Sequence, residues 1–346
     1  MPEPSPFVRA LPKVQLHCHL EGTVRAETFR ELAAAYGAES ARASGPFEAT
    51  YAFETFRDFL LTFAEVCKVL RRPEDYARIA RDYVVDAAAQ NVRYAEVFIS
   101  PSVWTYFHPD LDVIEVCQAM RDAFEGEGTR RNIEVALICD LTRNFGVERA
   151  QKTAERAVQL AERGLGVVAI GLGGDEINFP ARLFVEPYAY ARAHGLHCVA
   201  HAGEDAGPES IREAIDLLRA ERIGHGVRAL ADPSLVGELV ARRIALELCP
   251  TSNRLTGAVA PGVAHPIAAF DTAGVICTVD ADDPALFSTS LSEELALVAS
   301  WLGEAAVLRF TRNAVDASFA SGGRKASLKR ELERFGLETG SPRRSN

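Results

Sequence analysis

The sequence predicts an α/β protein, a (β/α)8 TIM barrel with a helical segment inserted after its first strand. Three observations carry this reading. Short apolar runs alternate with amphipathic stretches eight times along the chain. A length of 346 residues suits one such barrel and exceeds what a small disulfide-stapled module needs. Four of the apolar runs end in a His pair, a His followed by Glu, a lone His and an Asp cluster, and in a barrel such ends meet at one rim.

The expected strands run Val14 to His19, Val92 to Ile99, Ile133 to Asp140 and Val167 to Gly171, then Leu196 to His201, Arg222 to His225, Ile244 to Leu248 and Val275 to Asp280. Helical patterns lie between them. In Val147 to Arg163 the apolar face falls on Ala150, Ala154, Val158 and Ala161, and Gly164 supplies a stop. In Glu209 to Ala220 the residues Ile211, Ala214, Ile215 and Leu218 keep i, i+3, i+4, i+7 spacing.

Two places break the rhythm. About 70 residues separate the first two strands, far more than one crossover needs. They contain an aromatic-rich amphipathic stretch with Phe53, Phe56, Phe59, Leu60 and Phe63. Either it packs on the barrel exterior, or it forms a lid over the mouth, at about residues 50–75. Residues 338–346 are polar, with Gly340 and Pro342, and read as a disordered tail. The remainder, 1–337, reads as one domain.

Composition narrows the function classes. With 38 Lys and Arg against 48 Asp and Glu, the formal charge is −10, which argues against a phosphate-neutralising surface and hence against nucleic acid as a partner. Seven cysteines without a C-x-x-C pair, mostly inside apolar runs, read as reduced buried thiols. Met1 to Ala10 has no basic region followed by an apolar run, and no apolar stretch reaches about 18 residues. A cytoplasmic protein acting on a small molecule, away from membranes, is expected. Its oligomeric state is not legible.

The eight histidines are not scattered. The first strand ends His17-Cys18-His19, and alternation puts both imidazoles on one face. The fifth ends in His201-Ala202-Gly203-Glu204, the sixth in Gly224-His225-Gly226, and the eighth runs into Asp280-Ala281-Asp282-Asp283. Core packing explains such a set poorly, because buried imidazoles and carboxylates are costly unless paired or bound to a metal. Three imidazoles and a carboxylate without thiolates suit one Zn²⁺ per chain, with Fe²⁺, Mn²⁺ or Co²⁺ as alternatives. Such an ion with one open position lowers the pKa of a water towards about 7. Glu204 is placed to move protons, and His225 to orient the resulting nucleophile.

These motifs resemble those of the adenosine and adenine deaminase family of the amidohydrolase superfamily. The resemblance rests on Pro12-Lys13-Val14-Gln15-Leu16-His17-Cys18-His19-Leu20-Glu21-Gly22, Gly171-Leu172-Gly173-Gly174-Asp175-Glu176, His201-Ala202-Gly203-Glu204, Gly224-His225-Gly226, Leu248-Cys249-Pro250-Thr251-Ser252-Asn253 and Asp282-Asp283-Pro284, in the family's order over roughly residues 11–320. It implies hydrolysis of the 6-amino group of an adenine-type purine. His17, His19, His201 and Asp282 would bind zinc. Glu204 would protonate N1, and His225 would assist the attacking hydroxide. Asp283 would hydrogen-bond N7, and the Gly174 backbone would contact N3.

The chain departs from the adenosine pattern in places. Glu21 stands where Asp usually reads the ribose 5′-hydroxyl, so a substrate-binding role for a longer carboxylate is expected. Gly171-Leu172-Gly173-Gly174-Asp175-Glu176 replaces Asp-Leu-Ala-Gly-Asp-Glu, Phe98 stands where Arg is common, and Asp280-Ala281 replaces Asn-Ser or Asn-Thr. The ranking is therefore adenosine or a 5′-modified adenine nucleoside such as 6-amino-6-deoxyfutalosine, followed by adenine or an N6-substituted adenine.

Rivals from other classes are weaker. Gly164-Leu165-Gly166-Val167-Val168-Ala169 matches G-x-G-x-x-A, but a helix precedes it and a strand follows, the reverse of a dinucleotide-binding turn. His19-Leu20-Glu21 lacks the P-C-x-x-C partner of cytidine-type deaminases. An amidohydrolase acting on an amide or phosphoester would share H-x-H but does not explain Glu204. A non-catalytic purine-binding protein would be expected to lose Glu204 or a ligand, and neither is lost.

Overall fold

Eight parallel strands lie side by side in chain order: β1 (Lys13–Gln15), β2 (Val92–Ile99), β3 (Glu134–Asp140), β4 (Val167–Gly171), β5 (His197–Ala202), β6 (Arg222–His225), β7 (Ala245–Leu248) and β8 (Ile276–Val279). The expected (β/α)8 barrel is the observed one. The computed structural model describes residues 1–37 and 56–339. Register brings Phe98 beside Ile138, Asp140 beside Gly171, and His201 beside Gly224, so the polar strand ends stand level at one rim.

Closure between β8 and β1 is not an ordinary ladder. The Asp280 carboxylate accepts the backbone N–H of Leu16 at 2.6 Å and of His17 at 3.0 Å. One step further, His19 N–H donates to the Asp282 carbonyl and Asp282 N–H to the His17 carbonyl. The first strand therefore stops at Gln15, not at His19 as its pattern suggested, because a side chain takes the amides a neighbouring strand would have used.

Outside the barrel, the helix Gly146–Glu162 buries Ala150, Ala154 and Val158, the face its spacing predicts. The helix Pro208–Asp216 ends earlier than expected. Arg219 takes a left-handed φ of +58°, yet Leu218 stays fully buried in the turn that follows. The long first connection holds helices Ala26–Ala35, Phe56–Val69 and Pro73–Ala89. Residues 50–55 of the expected lid lie outside the described residues, as does the expected tail from residue 340; Glu338 closes the helix Gly322–Glu338. All seven cysteines are unpaired and buried. Among the described residues no helix is long and apolar enough to cross a membrane.

Asp280→Ala would strand two buried amides at the barrel seam. Each orphaned donor costs about 1–3 kcal/mol, so stability measured in urea should fall by about 2–6 kcal/mol, as a lower midpoint with an unchanged slope.

Candidate metal and catalytic site

His17 and His19 follow β1, His201 is the penultimate residue of β5, and Asp282 follows β8; their ligand atoms all lie within 4.8 Å of one another, and all four residues are buried. The spacing tests whether they fit an ion. His17 Nε2 and His19 Nε2 each stand 3.4 Å from Asp282 Oδ1, and His19 Nε2 stands 3.2 Å from His201 Nε2. A tetrahedron with ligands about 2.0–2.1 Å from its centre has edges of about 3.3–3.4 Å. His17 Nε2 makes no hydrogen bond, although it is buried. The group fits a divalent cation.

Three of the four ligands are held from behind, whereas His201 Nδ1 is buried without a hydrogen-bond partner. His17 Nδ1–H donates to Glu247 Oε2 at 2.8 Å, which leaves Nε2 as the free lone pair. Glu247 Oε1 in turn accepts from Arg222 Nε at 2.5 Å, and Arg222 Nη2 reaches Glu96 Oε2 at 2.6 Å. Ser252 Oγ donates to Asp282 Oδ2 at 2.6 Å. Phe98 stacks on His19 with ring centroids 4.9 Å apart and touches His17 and His201 as well. Asp282 has φ +60° and His225 φ +61°, left-handed conformations that cost non-glycine residues energy and persist only where the surroundings enforce them.

Glu204 and His225 face each other, with Oε2 and Nε2 3.5 Å apart. Burial, reinforced by the charges of Asp282 and Glu176, pushes the Glu204 carboxyl well above its ordinary range, so it can carry a proton at neutral pH. Its loop is gathered by one carboxylate: Glu176 accepts the amides of Gly203, Glu204, Asp205 and Ala206 together with the Ser210 hydroxyl. Gly203 turns this loop at φ +70°, and a Cβ there would overlap Ile211.

The protonation pattern of His225 follows from its neighbours. Ile267 N–H donates to His265 Nδ1 at 3.3 Å, which leaves His265 Nε2–H to donate to Asn253 Oδ1 at 3.1 Å. That fixes the Asn253 amide so that its Nδ2–H donates to His225 Nδ1 at 2.9 Å. The proton of a neutral His225 must then sit on Nε2, pointing at Glu204 and Asp282. Burial lowers His225 to about 4, and burial together with Arg254 and His225 lowers His265 to about 3, so both are neutral. His225 is a hydrogen-bond donor to the site.

A cavity of about 210 Å³ opens over this cluster. It reaches from His19, Glu204, His225, Asp282 and Asp283 to Gly174, and Phe59, Leu60 and Phe63 line its apolar side. Phe59 stacks on Phe287 at 5.0 Å. The Phe56 side chain lies outside the described residues. Asp283 packs so closely on Gly22 that any Cβ there would overlap its carboxylate. Glu21 is fully buried: its Oε1 accepts from Ser100 N–H at 2.9 Å and Trp104 Nε1–H at 2.6 Å, and it is not among the residues that line the cavity.

Sequence reasoning gave no role to Glu96, Arg222, Glu247 or His265, and quoted Glu176 and Asn253 only as members of motifs. The first three are charges within otherwise apolar strand runs, a signal that could have found them. His265 carries no such signal.

The fold and the site define a metal-dependent hydrolase of the barrel type. The chain belongs to the adenosine deaminase family, whose profile matches residues 12–335. It is 38% identical over 334 residues to an aminodeoxyfutalosine deaminase of Streptomyces coelicolor, covering 95% of this chain and 85% of that protein. It is 39% identical over 330 residues to an adenine deaminase of Rhodospirillum rubrum, covering 94% and 97%. A solved amidohydrolase from Burkholderia ambifaria with bound Zn superposes with a TM-score of 0.86 at 29% identity, over 97% of this chain and 94% of that one.

His265→Leu should leave the metal bound while freeing the Asn253 amide to turn. Turnover is expected to fall about 10–100-fold with KM little changed. The ¹⁵N shifts of His225 should report a mixture of tautomers. His265→Gln, whose amide can reach the Nε2 position, should recover most of the loss.

Proposed function

We propose that the protein replaces the 6-amino group of an adenine nucleoside with oxygen, consuming water and releasing ammonia. Adenosine or a nucleoside extended at C5′, such as 6-amino-6-deoxyfutalosine, is the favoured substrate class. The observation that carries this reading is the convergence of a four-ligand metal group, a protonatable Glu204 and Asp283 on one buried cavity. His17, His19, His201 and Asp282 would hold Zn²⁺, as the bound Zn of the Burkholderia structure supports. Bound there, the ion supplies a nucleophilic oxygen at neutral pH.

The chain's own residues do the rest. Glu204 gives its proton to N1, which draws electrons from C6 and opens it to attack. His225 directs its Nε2–H at the attacking oxygen and holds it on one face of the ring. Asp283 hydrogen-bonds N7, and the Gly174 backbone meets N3. The proton taken from the attacking oxygen leaves on the amino nitrogen as ammonia, with Glu204 as carrier. Phe59, Leu60 and Phe63 exclude water as a lid over the cavity. Glu21 acts on substrate choice through Ser100, which lines the cavity, and through Trp104.

Free adenine or an N6-substituted adenine is the second reading, favoured by the match to the Rhodospirillum adenine deaminase over 97% of its length. The seven unpaired buried thiols support a reducing, cytoplasmic setting.

With Zn²⁺ loaded, an ammonia-release panel of adenine, adenosine, 5′-deoxy-5′-methylthioadenosine and aminodeoxyfutalosine, plus N6-methyladenosine followed as methylamine, should show turnover of at least one nucleoside. Silence on every 6-aminopurine would overturn the reading. Glu204→Gln should retain one metal per chain and lose roughly 10²–10⁴-fold in kcat.

A further inference from the structure

Three departures from the adenosine pattern, at positions 98, 171 and 173, meet around one side chain that no part of the chemistry above uses. Asp140 ends β3, is 4% exposed and lines the cavity. Its Oδ2 accepts both the backbone N–H of Thr142 at 3.0 Å and the Thr142 hydroxyl at 2.8 Å. Its Oδ1 makes no hydrogen bond of normal geometry, although the Gly173 amide lies close to the carboxylate. A buried carboxylate oxygen left bare costs free energy that a folded protein rarely gives up without return.

The surroundings are built to keep that oxygen open. Thr142, a β-branched residue, is held at φ +47° by its two bonds to Asp140, and Ser102 Oγ donates to its hydroxyl at 3.0 Å. Gly171, where adenosine deaminases usually carry Asp, pairs in register with Asp140. A Cβ at 171 would stand 2.6 Å from the Phe98 ring and 3.4 Å from Asp140 Oδ1. A larger residue at 171 is thus incompatible with Phe98, itself standing where Arg is common. A Cβ at Gly173, where Ala is usual, would crowd Oδ1 at 3.3 Å. The usual Arg and Asp have been exchanged for Phe and Gly, and the Asp140 carboxylate at the end of β3 stands beside Gly171 and Gly173. Burial raises its pKa; the Thr142 donors, the nearby Gly173 amide and Arg143 oppose the shift and favour the ionised, accepting form.

The orientation of the purine then assigns a partner. N1 and N7 flank C6, so a ring with C6 at the metal group, N1 at Glu204 (β5) and N7 at Asp283 (β8) turns its N3 and N9 side to the remaining wall, the ends of β2, β3 and β4. We infer that Asp140 is a specificity-determining residue whose Oδ1 accepts a hydrogen bond from a donor on the N9 side of the substrate, either N9–H of a free base or a hydroxyl of an attached sugar. This rests on the 6-aminopurine reading above.

The test uses the zinc-loaded full chain and matched pairs that differ in that donor: adenine against 9-methyladenine, and adenosine against 2′-deoxyadenosine and 3′-deoxyadenosine. The wild type should prefer the donor-bearing member of one pair by at least tenfold in kcat/KM, and the pair names the donor. Asp140→Asn keeps an oxygen for Thr142 and turns an N–H₂ to the cavity. It should retain its metal, lose about 10²-fold in kcat/KM on the preferred member, and treat both members within about threefold. Equal turnover of both members of every pair by the wild type would overturn the proposal without any variant. So would undiminished discrimination by a folded, metal-loaded Asp140→Asn. Failure of the wild type on all 6-aminopurines would instead overturn the functional reading.

Discussion

The site depends on a buried line of charge that crosses the barrel beneath it. One guanidinium, Arg222 of β6, is shared by Glu96 of β2 and Glu247 of β7, and Glu247 carries the line on to His17. All four side chains are essentially without solvent contact. Taking such groups out of water costs several kcal/mol each, recovered only when every partner is present. With one cation against two carboxylates the line is short of positive charge, and it terminates at the imidazole whose other nitrogen faces the metal group. The line therefore favours positive charge at its upper end, on the His17 imidazole or on an ion it holds.

Closure and ligation are coupled in the same place. The Asp280 carboxylate that ties Leu16 and His17 to β8 also ends the ladder of β1, which turns His17 and His19 into the rim. Asp282 sits two residues on, exchanging backbone bonds with His17 and His19. The seam of the barrel and two of its metal-facing segments are one structure. The opposing arc does different work: Glu176 gathers the Glu204 loop, while Ile267, His265 and Asn253 settle which nitrogen of His225 carries a proton.

Much of this was legible in the residues. Eight strands and the convergence of His17, His19, His201, His225, Glu204 and Asp282 follow from apolar periodicity and from polar residues at run ends. What was not legible depends on side chains reaching backbone or each other across the fold. The end of β1 is set by a carboxylate some 260 positions away, which no local pattern reveals. Leu218 keeps helical spacing yet lies beyond the helix, because burial does not require the helix to continue. Glu21 was expected to meet the substrate; its Oε1 is taken by the Ser100 amide and the Trp104 indole, while its Oε2 has no hydrogen-bond partner, a division that no local pattern reveals. His265 gave no sign at all, since its part depends on the placement of Asn253.

The seven buried thiols have a practical consequence. None of them presents an accessible sulfur to a polar reagent, so a single cysteine introduced on the surface would react alone. Leu61, more than half exposed on the helix that carries Phe59 and Phe63, is one such position. A fluorophore or spin label there would report the motion of that helix over the cavity, on the otherwise unmodified chain.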